Sequence, residues 1–482
     1  MSNKVTATTA KSIHILACPF KVDEKNIKIN KVVKAFEEYG WKQKNMDYSK
    51  EKDFLKKREN FMRYQYFTGA ARDIFCRGEK GSCTVFEYGN VENYNYYIKT
   101  TGKEYILPID EIELHLYDCG IGILMIRLLN GIYEKIEEIK IINDYIRRVS
   151  IPFLPTDLNA FILCAEKIGI IKYTDEKAGN TERKDFEEIC VTDFRDRIWE
   201  DCKLKDQAEF IEKILFHCLE KKEQSFSGIN IEYYTDDRMF LMCLLRDDDL
   251  SGSMEEALEK RTEYMTERLY TLLYIDPGEE STCKDEKMKN DLLDTAIYRR
   301  WLKWGTLYGA TSYSFFCITG RSENINESVV RPFLVEYTYI YSLVLAQRYA
   351  ISEFSEMAGK RVTGIEKKGN IHWGKAKRLN DLHEKYVAFK NKLMIIEISP
   401  QEQGIEIYHL LQKQLMIAEE QMILDEQLQS LYEIVNTSNS ARLSIWGLVV
   451  AVFTIVLEFD KITGFVQALF GWIIKIFSLF FS

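Results

Sequence analysis

Over the first 150 residues, apolar and polar positions alternate in short stretches, which is the pattern of β-strands. A continuous apolar run occupies residues 12–20, and residues 111–129 form two apolar runs that turn at Cys119–Gly120. Helical spacing of the apolar residues occurs at 30–43 and 53–77. This mixture predicts an α/β domain over residues 1–150, which ends before a proline-containing segment.

Through the middle of the chain, the apolar residues recur mainly at the 3.6-residue spacing of amphipathic helices. We therefore predict a mostly helical region over residues 151–328, with an exposed loop at 276–290. Longer helices are predicted over 329–358 and 375–398, and they begin a region of long helices that extends over 329–440.

Residues 405–446 contain neither glycine nor proline, and they carry a heptad repeat. Without interruption, these 42 residues would form a helix roughly 63 Å long. One core position of the heptad is occupied by Leu410, Ile417, Leu424 and Leu431, and its partner position by Ile407, Gln414, Gln421, Leu428 and Val435. Together these residues form the seam of the helix. Such a seam favours a coiled-coil stalk that associates with copies of itself, with the glutamines fixing the register. The alternative is a long core helix inside one subunit.

The C-terminal tail is much poorer in charge than the rest of the chain. Residues 441–482 hold five charged residues, where the chain average of 29% predicts about twelve. Two uncharged runs, 443–457 and 462–474, are separated by the charged tetrad Glu458–Lys461. The pattern predicts a membrane domain over 441–482 with two transmembrane helices, and a buried helical hairpin is the alternative.

Small and polar residues share one face of the first predicted span. Their spacing of 4, 3, 4, 3 and 4 follows the helical period, and they are Ser440, Ser444, Gly447, Ala451, Thr454 and Glu458. Such a stripe either lines a pore, with Glu458 forming an acidic ring at its mouth, or lets helices pack closely in lipid. The glutamate at the end of the stripe favours the pore.

Charge and motifs exclude several classes of function. The net charge of −9 argues against a direct nucleic-acid binder. The 11 cysteines are scattered without a C-x-x-C pair, so we expect reduced thiols in a cytoplasmic body and no metal site. The chain has no phosphate-binding loop, dinucleotide fingerprint or zinc-protease motif. We therefore predict neither an enzyme nor a cofactor.

An α/β body, a long helix leading into the first of two C-terminal spans, and a short charged loop between the spans together resemble the CorA family of divalent-cation channels. That family ends its first span with Gly-Met-Asn, whereas this chain has Leu457-Glu458-Phe459-Asp460-Lys461 at that place. The resemblance implies a homo-oligomer, with the family's pentamer as the expected copy number. It also implies insertion in the lipid bilayer of the cell inner membrane, with the large N-terminal part cytoplasmic.

Without Gly-Met-Asn, and with 440 residues before the predicted membrane domain, the chain is similar to a divergent CorA-like branch found beside type III CRISPR systems. This similarity implies a membrane channel or effector in antiviral defence. Its gating ligand would be a nucleotide second messenger, an adenosylmethionine–AMP conjugate. A divalent metal-ion transporter and a membrane-anchored scaffold without a pore are the alternative functions.

A nucleotide site needs aromatic side chains for the base and arginines or N–H groups for the phosphate. The segment richest in both contains the candidate ligand-binding residues Arg299, Arg300, Trp301, Trp304, Tyr308, Thr311, Ser312, Tyr313 and Arg321. A second candidate segment contains Arg63, Tyr64, Tyr66, Thr68 and Arg72. For each of these residues separately, the alternative is a core aromatic or a solvated arginine.

Substitutions along the small-residue stripe test the predicted pore. We expect Glu458→Lys to reduce or invert the preference for cations, because the acidic ring becomes basic. Ala451→Leu should occlude the path, whereas the control Val452→Leu, about 100° round the helix, should matter little. Reversal potentials in lipid bilayers are the measurement. If the stripe only packs helices together, Glu458→Lys leaves the ion flux unchanged.

Overall fold

The computed structural model describes residues 5–22, 29–77, 81–150, 164–173, 186–194, 208–216, 219, 229–234, 237–278, 280–362, 373–433, 447–451 and 454. The chain divides into two compact units. The first unit comprises Met1–Ser352 and Ala388–Glu420, and the second comprises Glu353–Val387 and Gln421–Ser482. The prolines expected to end the N-terminal domain lie outside the described residues.

The strands are β1 (Ser12–Val22), β2 (Lys42–Gln43), β3 (Cys83–Glu87), β4 (Tyr94–Lys99), β5 (Glu104–Tyr117), β6 (Ile121–Asn130), β7 (Lys167–Tyr173), β8 (Phe186–Asp193), β9 (Ile231–Tyr233), β10 (Phe240–Arg246), β11 (Ile297–Tyr298), β12 (Leu307–Ala310) and β13 (Ser314–Thr319). The helices are α1 (Ile29–Tyr39), α2 (Phe54–Tyr66), α3 (Gly69–Phe75), α4 (Ile136–Tyr145), α5 (Glu209–Leu215), α6 (Asp248–Glu259), α7 (Glu263–Leu273), α8 (Glu286–Ala296), α9 (Glu323–Ile325), α10 (Thr338–Val362), α11 (Trp373–Leu393) and α12 (Glu402–Gln414). Residues 417–433 form a further helix, α13.

One sheet of 13 strands is the centre of the first unit. Ten of them follow the order β11-β12-β13-β10-β1-β6-β5-β4-β7-β8, while β2 pairs with β3, β3 also pairs with β5, and β9 pairs with β1. β1 pairs antiparallel with both β6 and β10, and every residue of β1 except Lys21 is buried. An apolar run of this kind fits a strand that is covered on both faces. The mixed α/β fold with a large sheet agrees with the sequence prediction.

The predicted hairpin over residues 111–129 is confirmed as β5 and β6, which pair antiparallel. Gly120 completes the turn with a φ of +86°, a conformation that glycine adopts without steric strain. Gly122 allows the ring of Phe20 on β1 to approach, since a Cβ atom there would lie 2.2 Å from the ring. The hairpin therefore packs closely against the central strand.

The prediction of a mostly helical region over residues 151–328 missed seven strands. β7 to β13 lie within this region, beside its helices. β10 reads FLMCLLR, a short apolar run that periodicity alone does not distinguish from a buried helix. The predicted loop at 276–290 ends early because Asp285 caps α8, accepting a 2.6 Å hydrogen bond from Met288 N.

A helical run over residues 323–362 follows the sheet and agrees with the predicted long helix. It contains two wider π-helical turns, Asn326–Val330 and Phe333–Tyr337, on either side of Pro332. Proline has no N–H to donate within a helix, which favours irregular turns around it. Among the described residues, Glu323–Lys360 is long and apolar enough to span a membrane, but 83% of its most apolar window is buried in the protein. An apolar core helix has the same properties.

The second unit contains the end of α10, most of α11 and residues 421–433 of α13. Tyr386 on α11 donates a 2.7 Å hydrogen bond to Asp425 on α13, and its ring packs edge-on against Phe354 of α10. The seam residues Leu424, Leu428 and Leu431 are buried. They pack inside the chain's own fold, as the alternative of a core helix expects.

One continuous helix over residues 405–446 is not formed. α12 ends at Gln414, and Met416 adopts a φ of +54° before α13 begins. The absence of glycine and proline permits a long helix, but it does not prevent one residue from taking the left-handed conformation. The rest of the seam, including Val435, lies outside the described residues, as do both predicted membrane spans apart from 447–451 and 454.

Substitutions at two neighbouring residues of α13 distinguish the hypothesis of a core helix from that of a self-associating stalk. Leu424 is 1% exposed and Ile423 is 54% exposed. We expect Leu424→Ala to lower the free energy of unfolding by about 2–5 kcal/mol, because it leaves a cavity, and the control Ile423→Ala to change it by less than about 0.5 kcal/mol. Denaturant unfolding and oligomer mass in detergent are the measurements. A lower oligomer mass for Leu424→Ala with unchanged unfolding would favour the stalk.

Candidate ligand-binding cleft

A cleft of about 330 Å³ opens in the first unit between α2, the β5–β6 hairpin and the helical run that begins at residue 323. This volume lies within the range of small-molecule sites. Its apolar lining includes Leu55, Met62, Val330 and Leu334. Its charged lining consists of Lys44, Arg58, Glu59, Arg63, Glu111, Glu113, Arg127, Glu327 and Arg331.

A buried ion pair forms the floor of the cleft. Lys44 Nζ contacts Glu113 Oε1 and lies 3.0 Å from Glu111 Oε1. Burial alone would lower the pKa of Lys44, but the two carboxylates outweigh it and raise the pKa well above its ordinary value. Burial alone would raise the pKa of Glu113, yet Lys44 and a hydrogen bond from His115 hold it well below its ordinary value. Both groups are therefore charged at neutral pH.

The floor is connected to the long helix through a chain of hydrogen bonds. His115 Nε2 lies 3.2 Å from Glu113 Oε2, and His115 Nδ1 lies 2.8 Å from Ser342 Oγ on α10. The hydroxyl of Tyr117 is 3.0 Å from the same Ser342 oxygen. These β5 side chains share one face because they are two residues apart. The sheet thus contacts α10 through polar groups directly beneath the cleft.

Arginines on two further elements complete the cleft wall. Arg127 on β6 donates to Asp110 Oδ2 at 2.6 Å and lies 2.8 Å from Glu111 Oε2. Arg63 on α2 is buried, and its guanidinium lies 4.5 Å from the ring centroid of Tyr339. The walls therefore hold several fixed cations whose charge is largely offset by neighbouring carboxylates.

The mouth of the cleft carries opposite charges from α2 and the first π-helical turn. Arg58 Nη2 lies 3.1 Å from Glu327 Oε2, and Arg331 Nε lies 3.7 Å from the same oxygen. Arg331 also donates through Nη1 to Glu336 Oε1 at 2.8 Å. Burial raises the pKa of Glu336 above its ordinary value despite this arginine.

None of the sequence-predicted ligand residues between Arg299 and Arg321 lines the cleft. They follow the edge of the sheet, where Arg299 pairs with Asp294 at 2.5 Å and Arg300 with Glu406 on α12. The backbone N–H of Arg321 donates to Asp248 at 2.7 Å. The guanidinium groups of these arginines already have protein partners, and Arg321 Nε donates to Arg246 O at 3.1 Å. The segment as a ligand site stays a prediction.

The aromatic and hydroxyl members of that segment have separate surroundings. Tyr308 is buried, Thr311 shares a 2.8 Å hydrogen bond with Ser314, and Ser312 donates to Gln414 O at 3.4 Å. Trp301 Nε1 donates to Gln403 Oε1 at 2.8 Å, and the ring of Tyr313 stacks on that of Phe240 with 5.6 Å between the centroids. The side chain of Trp304 is 79% exposed. Trp301 and Ser312, like Arg300, thus have partners on α12.

The second candidate segment contributes one residue to the cleft, which is Arg63. Tyr64 lies beneath the Arg72 guanidinium at 4.1 Å, and Thr68 caps α3 by accepting from Ala71 N. Tyr66 is buried beside Tyr337. Sequence reasoning missed the other charged residues of the cleft because they come from distant segments. The signal available was the alternation of Glu111, Glu113, His115 and Tyr117 along one strand.

Three of the predicted pore-lining residues are described, namely Gly447, Ala451 and Thr454. Residues 447–451 are helical, and Thr454 Oγ1 donates back to Val450 O at 2.8 Å, as in a helix. Ser440, Ser444 and Glu458 lie outside the described residues, so the stripe as a whole stays a prediction.

A second polar cluster places a cysteine, a histidine and an asparagine together. His14 Nδ1 donates to Asn143 Oδ1 at 2.7 Å, and Asn143 Nδ2 donates to Cys243 Sγ at 3.7 Å. Burial raises the pKa of Cys243 to about 12 and lowers that of His14 to about 4. All three side chains are inside the core, so the thiol is protonated and inaccessible. The cluster is structural rather than catalytic.

Within the described ranges, no group of three or more histidine, cysteine or acidic residues is placed to hold a metal ion. No protein-family model, no curated protein and no solved structure matches the chain. Its function is therefore inferred from the sequence pattern and from the geometry of the cleft.

His14 makes stability depend on pH. Its pKa is about 4 in the folded chain against 6.5 ordinarily, so between these values the unfolded chain binds a proton that the folded chain does not. We expect this term to remove up to about 3 kcal/mol of stability as the pH falls from 6.5 to 4. His14→Gln should flatten the dependence, whereas the exposed control His409→Gln should keep it. Equal pH slopes for wild type and His14→Gln would contradict the assignment.

Proposed function

We propose that this chain is the subunit of an oligomeric CorA-like membrane channel or effector of type III CRISPR antiviral defence. In this proposal, a nucleotide second messenger of the adenosylmethionine–AMP type binds in the cleft of the cytoplasmic body and opens a pore formed by the C-terminal tail. The proposal rests on the sequence resemblance together with the position of the cleft on the long helical run.

The observation that carries the proposal is that one wall of the cleft belongs to that helical run. Asn326, Glu327, Val330, Arg331 and Leu334 line the cleft, and the same run continues as α10 to Val362. A ligand in the cleft therefore touches the helical run that continues as α10. A ligand shifts a conformational equilibrium when it contacts the two states differently, and a long helix is an element on which such contacts can act.

The chemistry of the cleft suits a nucleotide conjugate. Its arginines and lysine are of the kind that bind phosphate, and its carboxylates suit the amino and sulfonium groups of an adenosylmethionine moiety. The apolar residues Leu55, Met62 and Leu334 provide a surface for a nucleobase. With five basic and four acidic side chains in its lining, a cleft of this size favours a ligand that itself carries both signs of charge.

The described part of the tail supports a membrane location. Leu448, Val449 and Val450 are 67%, 45% and 60% exposed on a helical turn. Consecutive exposed apolar residues of this kind need cover from lipid or from other subunits. With the two uncharged runs, they favour two transmembrane helices in the inner membrane and the body in the cytoplasm.

Ion flux in liposomes containing the purified protein tests the proposal. We expect the adenosylmethionine–AMP conjugate to start the flux, and Arg58→Gln to raise the concentration needed by about tenfold, because a charge-assisted contact is lost. Trp304→Ala is the matched control from the other candidate segment, and its response should equal that of wild type.

The other outcomes identify the alternatives. Divalent-cation flux that is independent of any nucleotide would indicate a metal-ion transporter. The absence of flux under all conditions would indicate a membrane-anchored scaffold. A response abolished by Trp304→Ala but unchanged by Arg58→Gln would place the ligand at the sheet edge instead of the cleft.

A further inference from the structure

The mouth of the cleft holds one carboxylate between two guanidinium groups. Glu327 Oε2 lies 3.1 Å from Arg58 Nη2 and 3.7 Å from Arg331 Nε. The two arginines come from different elements, α2 and the segment between the π-helical turns, and they meet at this one oxygen. Two arginines that converge in this way form the arrangement with which proteins hold phosphate and carboxylate groups of ligands.

Glu327 itself is weakly held. Its side chain is 64% exposed, and it projects from the π-helical turn Asn326–Val330. An exposed ion pair contributes little to stability, because water and salt screen the attraction. An anion of higher charge can therefore replace this carboxylate without disrupting the fold.

Two polar atoms beside Glu327 are buried and lack a hydrogen-bond partner among the described residues. They are the donor Arg331 Nε and the acceptor Asn326 Oδ1, and both residues line the cleft. Buried polar groups almost always have a hydrogen-bond partner. Arg331 Nε lies 3.7 Å from Glu327 Oε2, which is beyond hydrogen-bond distance, so this donor and the Asn326 acceptor can both bond to a ligand. A ligand with an anionic group and a nearby N–H donor would satisfy both atoms.

We propose that Glu327 occupies the position of a ligand phosphate, and that the phosphate group of a nucleotide binds between Arg58 and Arg331 by displacing this carboxylate. The inference deepens the proposed function and rests on it for the identity of the natural ligand. Glu327 then acts as an internal competitor, which sets how much phosphate ligand is needed to fill the cleft. Removing its charge strengthens binding, whereas removing Arg58 weakens it.

Calorimetry on the full-length protein in detergent tests the proposal, with AMP, adenosine and inorganic phosphate as probes. We expect Glu327→Gln to bind AMP about three- to tenfold more tightly, since the competing charge is gone, and adenosine no more tightly than wild type. Arg58→Gln should bind AMP about tenfold more weakly. Glu327→Asp keeps the charge and should stay close to wild type.

Glu256→Gln is the matched control. Glu256 is an exposed glutamate on α6 that pairs with Lys260 and does not line the cleft. Its substitution should leave the AMP affinity unchanged. A gain for inorganic phosphate equal to that for AMP supports the same subsite and identifies free phosphate as a sufficient occupant.

Three results would overturn the proposal. The first is an AMP affinity that Glu327→Gln leaves unchanged or weakens. The second is an equal gain in affinity for adenosine, which has no phosphate. The gain would then come from the changed shape of the side chain and not from the loss of its charge. The third is the absence of AMP binding to both wild type and Glu327→Gln. If Glu327→Gln tightens AMP binding but no flux occurs in liposomes, the phosphate subsite is supported and the proposed channel function is contradicted.

Discussion

The buried pair of Lys44 and Glu113 is the interaction on which the cleft depends. Lys44 follows β2, Glu113 lies on β5, and the hydrogen bonds continue through His115 to Ser342 on α10. Removing one member of a buried ion pair costs about 3–5 kcal/mol, because the other charge is left without compensation. The sheet and the long helix are therefore held together by buried polar groups, and each of these groups would lose its partner if the two elements moved apart. This constraint fixes the floor of the cleft while its mouth remains exposed.

Much of the fold could be predicted from the sequence because its strongest patterns are local. The apolar run of β1 and the hairpin turning at Gly120 are each specified within a short segment of the chain. β10 could not be distinguished from a buried helix, because a short, wholly apolar run has no periodicity to read. The break at Met416 was also unpredictable, because no glycine or proline marks it in the sequence.

The cleft was harder to predict than the fold, because its residues are brought together only by tertiary structure. Arg58 and Glu327 are 269 positions apart along the chain, and no spacing rule connects them. The aromatic and arginine cluster at 299–321 was conspicuous in the sequence, yet its arginines pair locally or with α12. Successive side chains of a strand point to opposite faces of the sheet. Suitable residues that are close together in the sequence of a sheet edge therefore need not meet at one site.

The two π-helical turns beside Pro332 have a consequence for how this region tolerates changes in length. A π turn holds one residue more than an α turn, so deleting one residue within Asn326–Val330 or Phe333–Tyr337 can restore α geometry locally. The orientation of α10 would then be retained. In a regular α-helix, the same deletion would rotate all later side chains by about 100° and shift them by about 1.5 Å. A variant that is one residue shorter here should therefore keep Ser342 facing the sheet.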